Sequence, residues 1–349
     1  MIEILILAFA VLMAFAVAFA AGSNDEMMAP GVAANVFSLR NAVILGAVFS
    51  VVGAFLLGKE VAETIGKDLV YNQLLTDSMI VAVLTAMIIV LVSLSVMEGL
   101  PLSTTQTVVG AIVGVTIVAG INDPGHWGIS AVNYQALISI IIGWVISPII
   151  GFFAAATVHF WLQRVEEPLL GFLDGASSGI SSREQLDRFY AYILGIFLIL
   201  STASRAGNDV ANSIAPVLSL QSLQGQENLS YMMIIGGIGM AVGLIIIGRK
   251  VIRLVAREIV TINTTSALSA MISVTLVMTL GTLAGFPLSG THVLVFAMIA
   301  VGWAERSPIQ KQMVKTIVIS WIVTVPIAAI LGGIVWFGVD WGFHVFAIT

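Results

Sequence analysis

From Val132 to Leu162 this chain carries no Asp, Glu, Lys or Arg, and comparable apolar runs recur along its length. About 18 apolar residues suffice to cross a bilayer as a helix. Lipid offers the backbone no hydrogen-bonding partner, so runs of this length must satisfy their peptide groups internally as helices. Composition agrees: 59% of residues are apolar and 9% charged, whereas soluble domains carry about 25% charged residues. The expected fold class is an all-α integral membrane protein. With no Cys, disulfides, thiolate metal sites and a thiol nucleophile are excluded. Ala18-Phe19-Ala20 imitates a signal-peptide cleavage site, but Met1-Ile2-Glu3 lacks a positive start, so the first helix is expected to be retained.

Hydropathy divides the chain into ten segments, at 2–22, 41–58, 77–97, 101–120, 132–162, 188–203, 229–248, 265–283, 287–303 and 312–338. The only long polar stretch, Gln163 to Asp187, is rich in Gly and Ser and mixed in charge, as suits a linker. The expected organisation is a first repeat over 1–162, a cytoplasmic linker over 163–187 and a second repeat over 188–349. Five segments per half is an odd number, so the second half must be inserted upside down. Assigning loops alternately, one side receives Lys59, Lys67 and Arg205. The other receives Arg40, Arg164, Arg183, Arg188, Arg249, Lys250, Arg253, Arg257, Arg306, Lys311 and Lys315, a score of 11 against 3. By the positive-inside rule the rich side is cytoplasmic and both termini lie outside. Re-entrant hairpins would alter the count, but paired changes in both halves would preserve the inversion.

Polar motifs recur in register within this apolar frame. Gly22-Ser23-Asn24-Asp25 is echoed by Gly207-Asn208-Asp209, an offset of 184 between the Asn residues. Pro101-Leu102-Ser103-Thr104-Thr105-Gln106 is echoed by Pro287-Leu288-Ser289-Gly290-Thr291-His292, an offset of 186. Gly46, Gly53 and Gly58 match Gly236, Gly243 and Gly248 at 190. Inverted repeats with interrupted helices place a working site between the halves.

Each Asn-Asp pair follows an apolar helix and is flanked by Gly and Pro, the pattern of a helix broken within the membrane. An Asp at the membrane centre costs about 2.5–3.5 kcal/mol unless it is paired, protonated or hydrated. Carboxylate, Asn amide oxygen and free carbonyls are hard ligands suited to Na⁺, or the carboxylate to H⁺. The plainer alternative is a helix cap at the interface. The Ser/Thr motifs read as helix starts, with Pro in the first turn and hydroxyls behind it. Free N–H groups and a positive dipole end there would hold a small tetrahedral oxyanion without any Arg. The alternative is Ser/Thr helix packing. Arg205, three residues before Asn208, is a weaker anion candidate, since Ala20 or Ala21 stands at its partner position. His292 and the pair Met27-Met28 read as packing, and Glu63 and Glu98 as interfacial. Gly236-Gly237 and Gly239 form a small-residue face for helix contacts within or between subunits.

On these residues the chain resembles the inorganic phosphate transporter family, whose signatures are a duplicated G-x-N-D-V-A-N-x element and a duplicated P-x-S-[ST]-T-[HQ] element. Gly207-Asn208-Asp209-Val210-Ala211-Asn212-Ser213 matches the first closely. Both Ser/Thr elements match, and the likeness covers essentially the full length. It implies phosphate import by cation-coupled symport with alternating access, Na⁺ being favoured over H⁺ because Asn beside Asp suits a dehydrated cation. It implies cation binding, with sodium as the metal, at Asn24, Asp25, Gln106, Asn208, Asp209 and Asn212. It implies phosphate binding at Ser103, Thr104, Thr105, Ser289, Gly290 and Thr291. The sequence departs from the signature where Glu26-Met27-Met28 replaces Val-Ala-Asn, and where Gly290 stands against Thr104. Glu26 either compensates for the missing Asn, or that half binds ions differently. The central loop of about 25 residues, Gln163 to Asp187, is short compared with animal relatives, so regulation through it is not expected.

The expected protein is thus a transporter in the cell (inner) membrane, with no enzymatic activity, no cofactor beyond co-transported ions and no nucleic-acid partner. A homodimer is the base-rate expectation. The rival readings are a permease for sulfate or another oxyanion, and an ion channel.

Overall fold

The computed structural model of the chain describes residues 2–71, 75–93, 102–174, 181–220, 226–259 and 262–345. These fold into helices α1 (Ile2–Ser23), α2 (Ala29–Ala33), α3 (Leu39–Leu57), α4 (Lys59–Asp68), α5 (Asp77–Leu91), α6 (Thr104–Ala119), α7 (Tyr134–Asp174), α8 (Ser182–Ile214), α9 (Gln226–Gly243), α10 (Arg249–Glu258), α11 (Thr264–Leu283), α12 (Gly290–Ala304) and α13 (Lys311–Val345). A π-helical turn, Leu244–Gly248, joins α9 to α10. Among the described residues there is no strand, only the isolated bridge between Val70 and Val132. Among the described residues, all ten apolar segments are largely helical. Pro101 and Glu98 lie outside the described residues, as do 175–180 of the polar linker.

Helix lengths sort the elements. Six helical stretches are long and apolar enough to cross a membrane. The starts of α6 and α12 lie buried in the protein, and these helices have only 16 and 15 residues. At 1.5 Å per residue they reach about 24 and 22 Å, short of the roughly 30 Å hydrocarbon core. At the other extreme, α7 has 41 residues with Pro148 and Pro168 inside it, and α13 has 35 with Pro326. Pro within a membrane helix is tolerated where neighbours re-satisfy the freed carbonyls. The excess length of α7 carries it about halfway through the polar stretch, to Asp174. Arg183, near the start of α8, returns to Glu166 on α7 at 2.8 Å.

Packing partners are exchanged between the halves: α1 packs on α9 and α8 on α3, while α6 packs on α13 and α12 on α7. Glycine sets the closeness of the first exchange. A Cβ on Gly53 would lie 2.1 Å from the carbonyl oxygen of Ala203, and one on Gly243 would lie 1.9 Å from that of Phe19. Phe19 and Ala203 are themselves separated by the 184-residue offset. The glycine face of α9 is consumed inside the chain: Gly237 meets Val51 and Gly239 meets the Phe15 carbonyl. It is therefore not a surface for a second subunit. The helices α4 and α10, which follow α3 and α9, were not legible as apolar segments because they are amphipathic. On α10, Arg249, Lys250, Arg253 and Arg257 are exposed while Val251, Ile252 and Val255 are buried.

Two sequence expectations need correction. Asn208 and Asp209 do not break their helix; α8 runs unbroken to Ile214 and turns into a 3-10 segment, Ala215–Ser219, at Pro216. Pro216 stands seven residues after Asp209, whereas in the first half α1 has already ended at Ser23 and Pro30, five residues after Asp25, lies in the first turn of α2; Asp209 is satisfied within its own helix by Arg205. Arg205 is also no loop residue. Its side chain is buried in the protein, so it drops out of the loop tally, which becomes 11 against 2.

Candidate functional site

Both Ser/Thr motifs begin helices as expected. Ser103 accepts a hydrogen bond from the Gln106 N–H at 3.3 Å, and Ser289 accepts one from the His292 N–H at 3.4 Å. Each is an N-cap in extended backbone conformation. The first N–H groups of α6 and α12, those of Thr104, Thr105, Gly290 and Thr291, have no intrahelical acceptor by helix geometry. The two starts meet reciprocally. Thr105 Oγ1 donates to the Leu288 carbonyl at 2.8 Å, and Thr291 Oγ1 donates to the Leu102 carbonyl at 3.3 Å. Thr105 and Thr291, like Leu102 and Leu288, are 186 residues apart. Two positive helix ends thus lie side by side, with every described motif residue buried.

The Asn residues hold these starts in place. α1 ends at Ser23, and the amide of Asn24 pairs both ways with the Leu102 peptide: Nδ2 donates to its carbonyl at 2.6 Å and Oδ1 accepts its N–H at 3.0 Å. Asn208 donates to the Phe286 carbonyl at 3.0 Å. Each Asn therefore fixes the chain leading into the Ser/Thr helix of its own half. Each amide oxygen keeps lone-pair capacity beyond these bonds. Asn212 donates to Thr105 Oγ1 at 2.8 Å. Beside it, α8 meets α11 through a ladder of side chains: Ser201 with Thr275 at 2.5 Å, Ser204 with Thr279 at 2.6 Å and Asn208 with Thr282 at 3.5 Å.

The charged part of the site gathers on Arg205. Its Nε lies 2.9 Å from Asp209 Oδ2 and 3.5 Å from Asp25 Oδ1, its Nη1 donates to Glu26 Oε1, and its Nη2 donates to Thr291 Oγ1 at 3.1 Å. Asp25 Oδ1 also accepts the Met27 N–H at 2.9 Å. Arg205 and its three carboxylates are each 3% exposed or less. One cation against three carboxylates leaves a formal charge of +1 − 3 = −2 when all are ionised. A buried excess of that size is costly until cations or protons offset it. Four buried side-chain oxygens beside or within these motifs have no hydrogen-bond partner: Glu26 Oε2, Thr104 Oγ1, Gln106 Oε1 and Asn212 Oδ1.

All twelve residues expected at the site are buried in or beside this cluster. Two further members, Arg205 and Glu26, were underweighted in the sequence. The signal for them was present: a lone Arg amid apolar sequence must find carboxylates, and Asp209 stands at i+4. His292 packs against Trp321 with ring centroids 3.8 Å apart, and Met27 and Met28 are core residues, both as expected.

Comparison with known proteins follows the same lines. Residues 26–332 match the model of the phosphate transporter family. The "Putative phosphate permease PF1020" of Pyrococcus furiosus is 30% identical, over 95% of each chain. A namesake from Thermococcus kodakarensis is 29% identical over 92% of this chain and 94% of its own. Among solved structures, one titled as the sodium-dependent phosphate transporter superposes with a TM-score of 0.84, covering 96% of this chain and 99% of its own at 23% identity. That likeness is one of fold.

Proposed function

From its membership of the phosphate transporter family, in which the matched relatives are permeases rather than enzymes, we propose that this chain imports inorganic phosphate by cation-coupled symport with alternating access. Sodium is favoured over the proton as the coupling ion. The observation that carries the reading is the juxtaposition of two reciprocally bonded helix starts with a carboxylate cluster of net negative charge. The helix starts and the hydroxyls of Ser103, Thr104, Thr105, Ser289 and Thr291 supply donors for an oxyanion. At Gly290 the missing side chain leaves room for the Arg205 side chain to lie against the start of α12.

A phosphate dianion cannot settle beside a buried excess of two negative charges unless cations enter with it, and this is the physical basis of coupling. Asp25 and Asp209 supply charge to those cations. The unpartnered oxygens of Gln106, Asn212 and Thr104 are hard ligands of the kind that Na⁺ prefers. Asn24 and Asn208 contribute through the capacity left on their amide oxygens. Phosphate is favoured over sulfate because monohydrogen phosphate has a proton to donate, and Glu26 reaches the same arginine that touches Thr291.

The exchanged packing partners and the reciprocal Thr–carbonyl bonds support an inverted repeat of 1–162 and 188–349 about the 163–187 linker. The basic face of α10 supports placing that linker side in the cytoplasm, with both termini outside the cell membrane. A homodimer rests on base rates alone. Uptake of radiolabelled phosphate into proteoliposomes, with Na⁺ and pH varied independently and sulfate as competitor, tests the proposal. Saturable uptake driven by a Na⁺ gradient and resistant to sulfate is expected. Passive conductance, or sulfate uptake in preference, would overturn it.

A further inference from the structure

Among the positions at which the two copies of the site differ, three paired by the offsets stand out: Ala21 against Arg205, Glu26 against Val210, and Thr104 against Gly290. In space these differences form a single feature. Arg205 donates to Glu26, and a Cβ on Gly290 would lie 3.1 Å from Arg205 Cγ, 3.2 Å from Cδ and 3.4 Å from Nε. The arginine therefore lies against a glycine at the position where the other copy carries a threonine. It touches both functional motifs, reaching Asp209 and Asp25 on one side and Thr291 on the other. Glu26 Oε2, fully buried, has no partner.

We propose that Arg205 is the element that couples cation binding to phosphate binding, and that Glu26 is the internal carboxylate it releases when phosphate arrives. The inference rests on the reading that the Ser/Thr helix starts hold phosphate. Before cations enter, Asp25, Glu26 and Asp209 all compete for one guanidinium in a low-dielectric site, and a dianion cannot displace them. A cation on Asp25 or Asp209 removes a competitor. The guanidinium, already at Thr291, then donates to phosphate oxygens in the bidentate geometry that arginine provides. Cation and phosphate thus tighten each other's binding by the same factor. The charged groups facing Arg205 are these three carboxylates, on the α1–α2 turn and on α8 itself. From α12 it meets only Thr291 and Gly290.

The test is equilibrium binding of radiolabelled phosphate to the purified full chain across a Na⁺ titration. Glu26→Gln should bind phosphate roughly 10- to 100-fold tighter at low Na⁺, the scale of one charge-assisted hydrogen bond, with a shallower Na⁺ dependence. Arg205→Gln alone strands three carboxylates and can fail to fold. The double variant Glu26→Gln/Arg205→Gln keeps the cluster at −2 and serves in its place. It should bind phosphate roughly 10- to 100-fold more weakly than the unaltered protein at saturating Na⁺. Either variant showing the unaltered protein's affinity and Na⁺ dependence overturns the coupling role. Absence of phosphate binding by the unaltered protein at every Na⁺ concentration instead removes the transport reading itself, and this inference with it.

Discussion

Replacing Asn24 with Ala separates a positioning role from a purely cation-binding one. The substitution removes both hydrogen bonds to the Leu102 peptide, at 2.6 and 3.0 Å. The Leu102 N–H becomes a buried donor without a partner, at a cost of about 1–3 kcal/mol. Its carbonyl keeps the Thr291 hydroxyl at 3.3 Å, so that loss is smaller, about 0.5–1.5 kcal/mol. Together these come to about 1.5–4.5 kcal/mol against the native placement of Ser103, or a fall of roughly 10- to 2,000-fold in the fraction of correctly formed helix starts relative to displaced ones. Where the displaced arrangement becomes populated, apparent phosphate affinity falls in proportion to the competent fraction that remains. Uptake kinetics in proteoliposomes should show phosphate KM rising at least as strongly as the Na⁺ half-saturation. A phosphate KM within about threefold of the unaltered value, alongside a much larger Na⁺ half-saturation, would refute the argument and leave Asn24 as a cation ligand alone.

Further outcomes follow from the same geometry. Asp25→Ala or Asp209→Ala should abolish ion-driven uptake, and full Na⁺-driven uptake in both would sink the cation assignment. Thr105→Val removes the bonds to Leu288 and Asn212, and Thr291→Val those to Leu102 and Arg205. Each should raise phosphate KM by roughly 5- to 30-fold, read from initial rates at saturating Na⁺. Gly53→Leu drives a side chain into the Ala203 backbone, where even a Cβ would sit 2.1 Å from oxygen. It should cost more than about 3 kcal/mol and abolish recovery of monodisperse protein by size exclusion. Gly338→Ala, with nothing within 4 Å of the new atom and the position inside α13, should raise the thermal unfolding temperature slightly, by about 0.5–1 kcal/mol of stability.

The bundle was legible because apolar periodicity and length are properties of the chain itself, and in their described residues all ten segments are largely helical. The Ser/Thr motifs were legible for a similar reason, since an N-cap is a local event decided within four residues. The continuity of α8 through Asn208 and Asp209 was not legible. A broken helix and an unbroken one can share the same Asn-Asp pair, and the difference lies in where Pro216 falls and in the Arg205 partner. The misassignment of Arg205 to a loop has the same origin. A charge between apolar stretches reads as a loop charge unless its partners are known, and two of its three carboxylates are on residues 25 and 26, far away in sequence. The departures at Glu26 and Gly290 are far apart in sequence, and the Arg205 side chain touches both.

The hydroxyl ladder between α8 and α11 bears on how the protein moves. Its rungs climb in the same direction on both helices, 201 with 275, 204 with 279 and 208 with 282, so the helices run parallel. A slide of one turn, about 5.4 Å, would set Ser201 against Thr279 and Ser204 against Thr282. Both serines would again find a hydroxyl, Thr275 would keep its bond to the Met271 carbonyl of its own helix, and Asn208 would leave its place against Thr282. The glycine contacts of α3 with α8, and of α9 with α1, have no such second register, because a neighbouring side chain would collide with bare backbone. The molecule therefore combines interfaces that act as latches with one that can act as a ratchet, and the ratchet helix is the one that carries Arg205, Asn208 and Asp209.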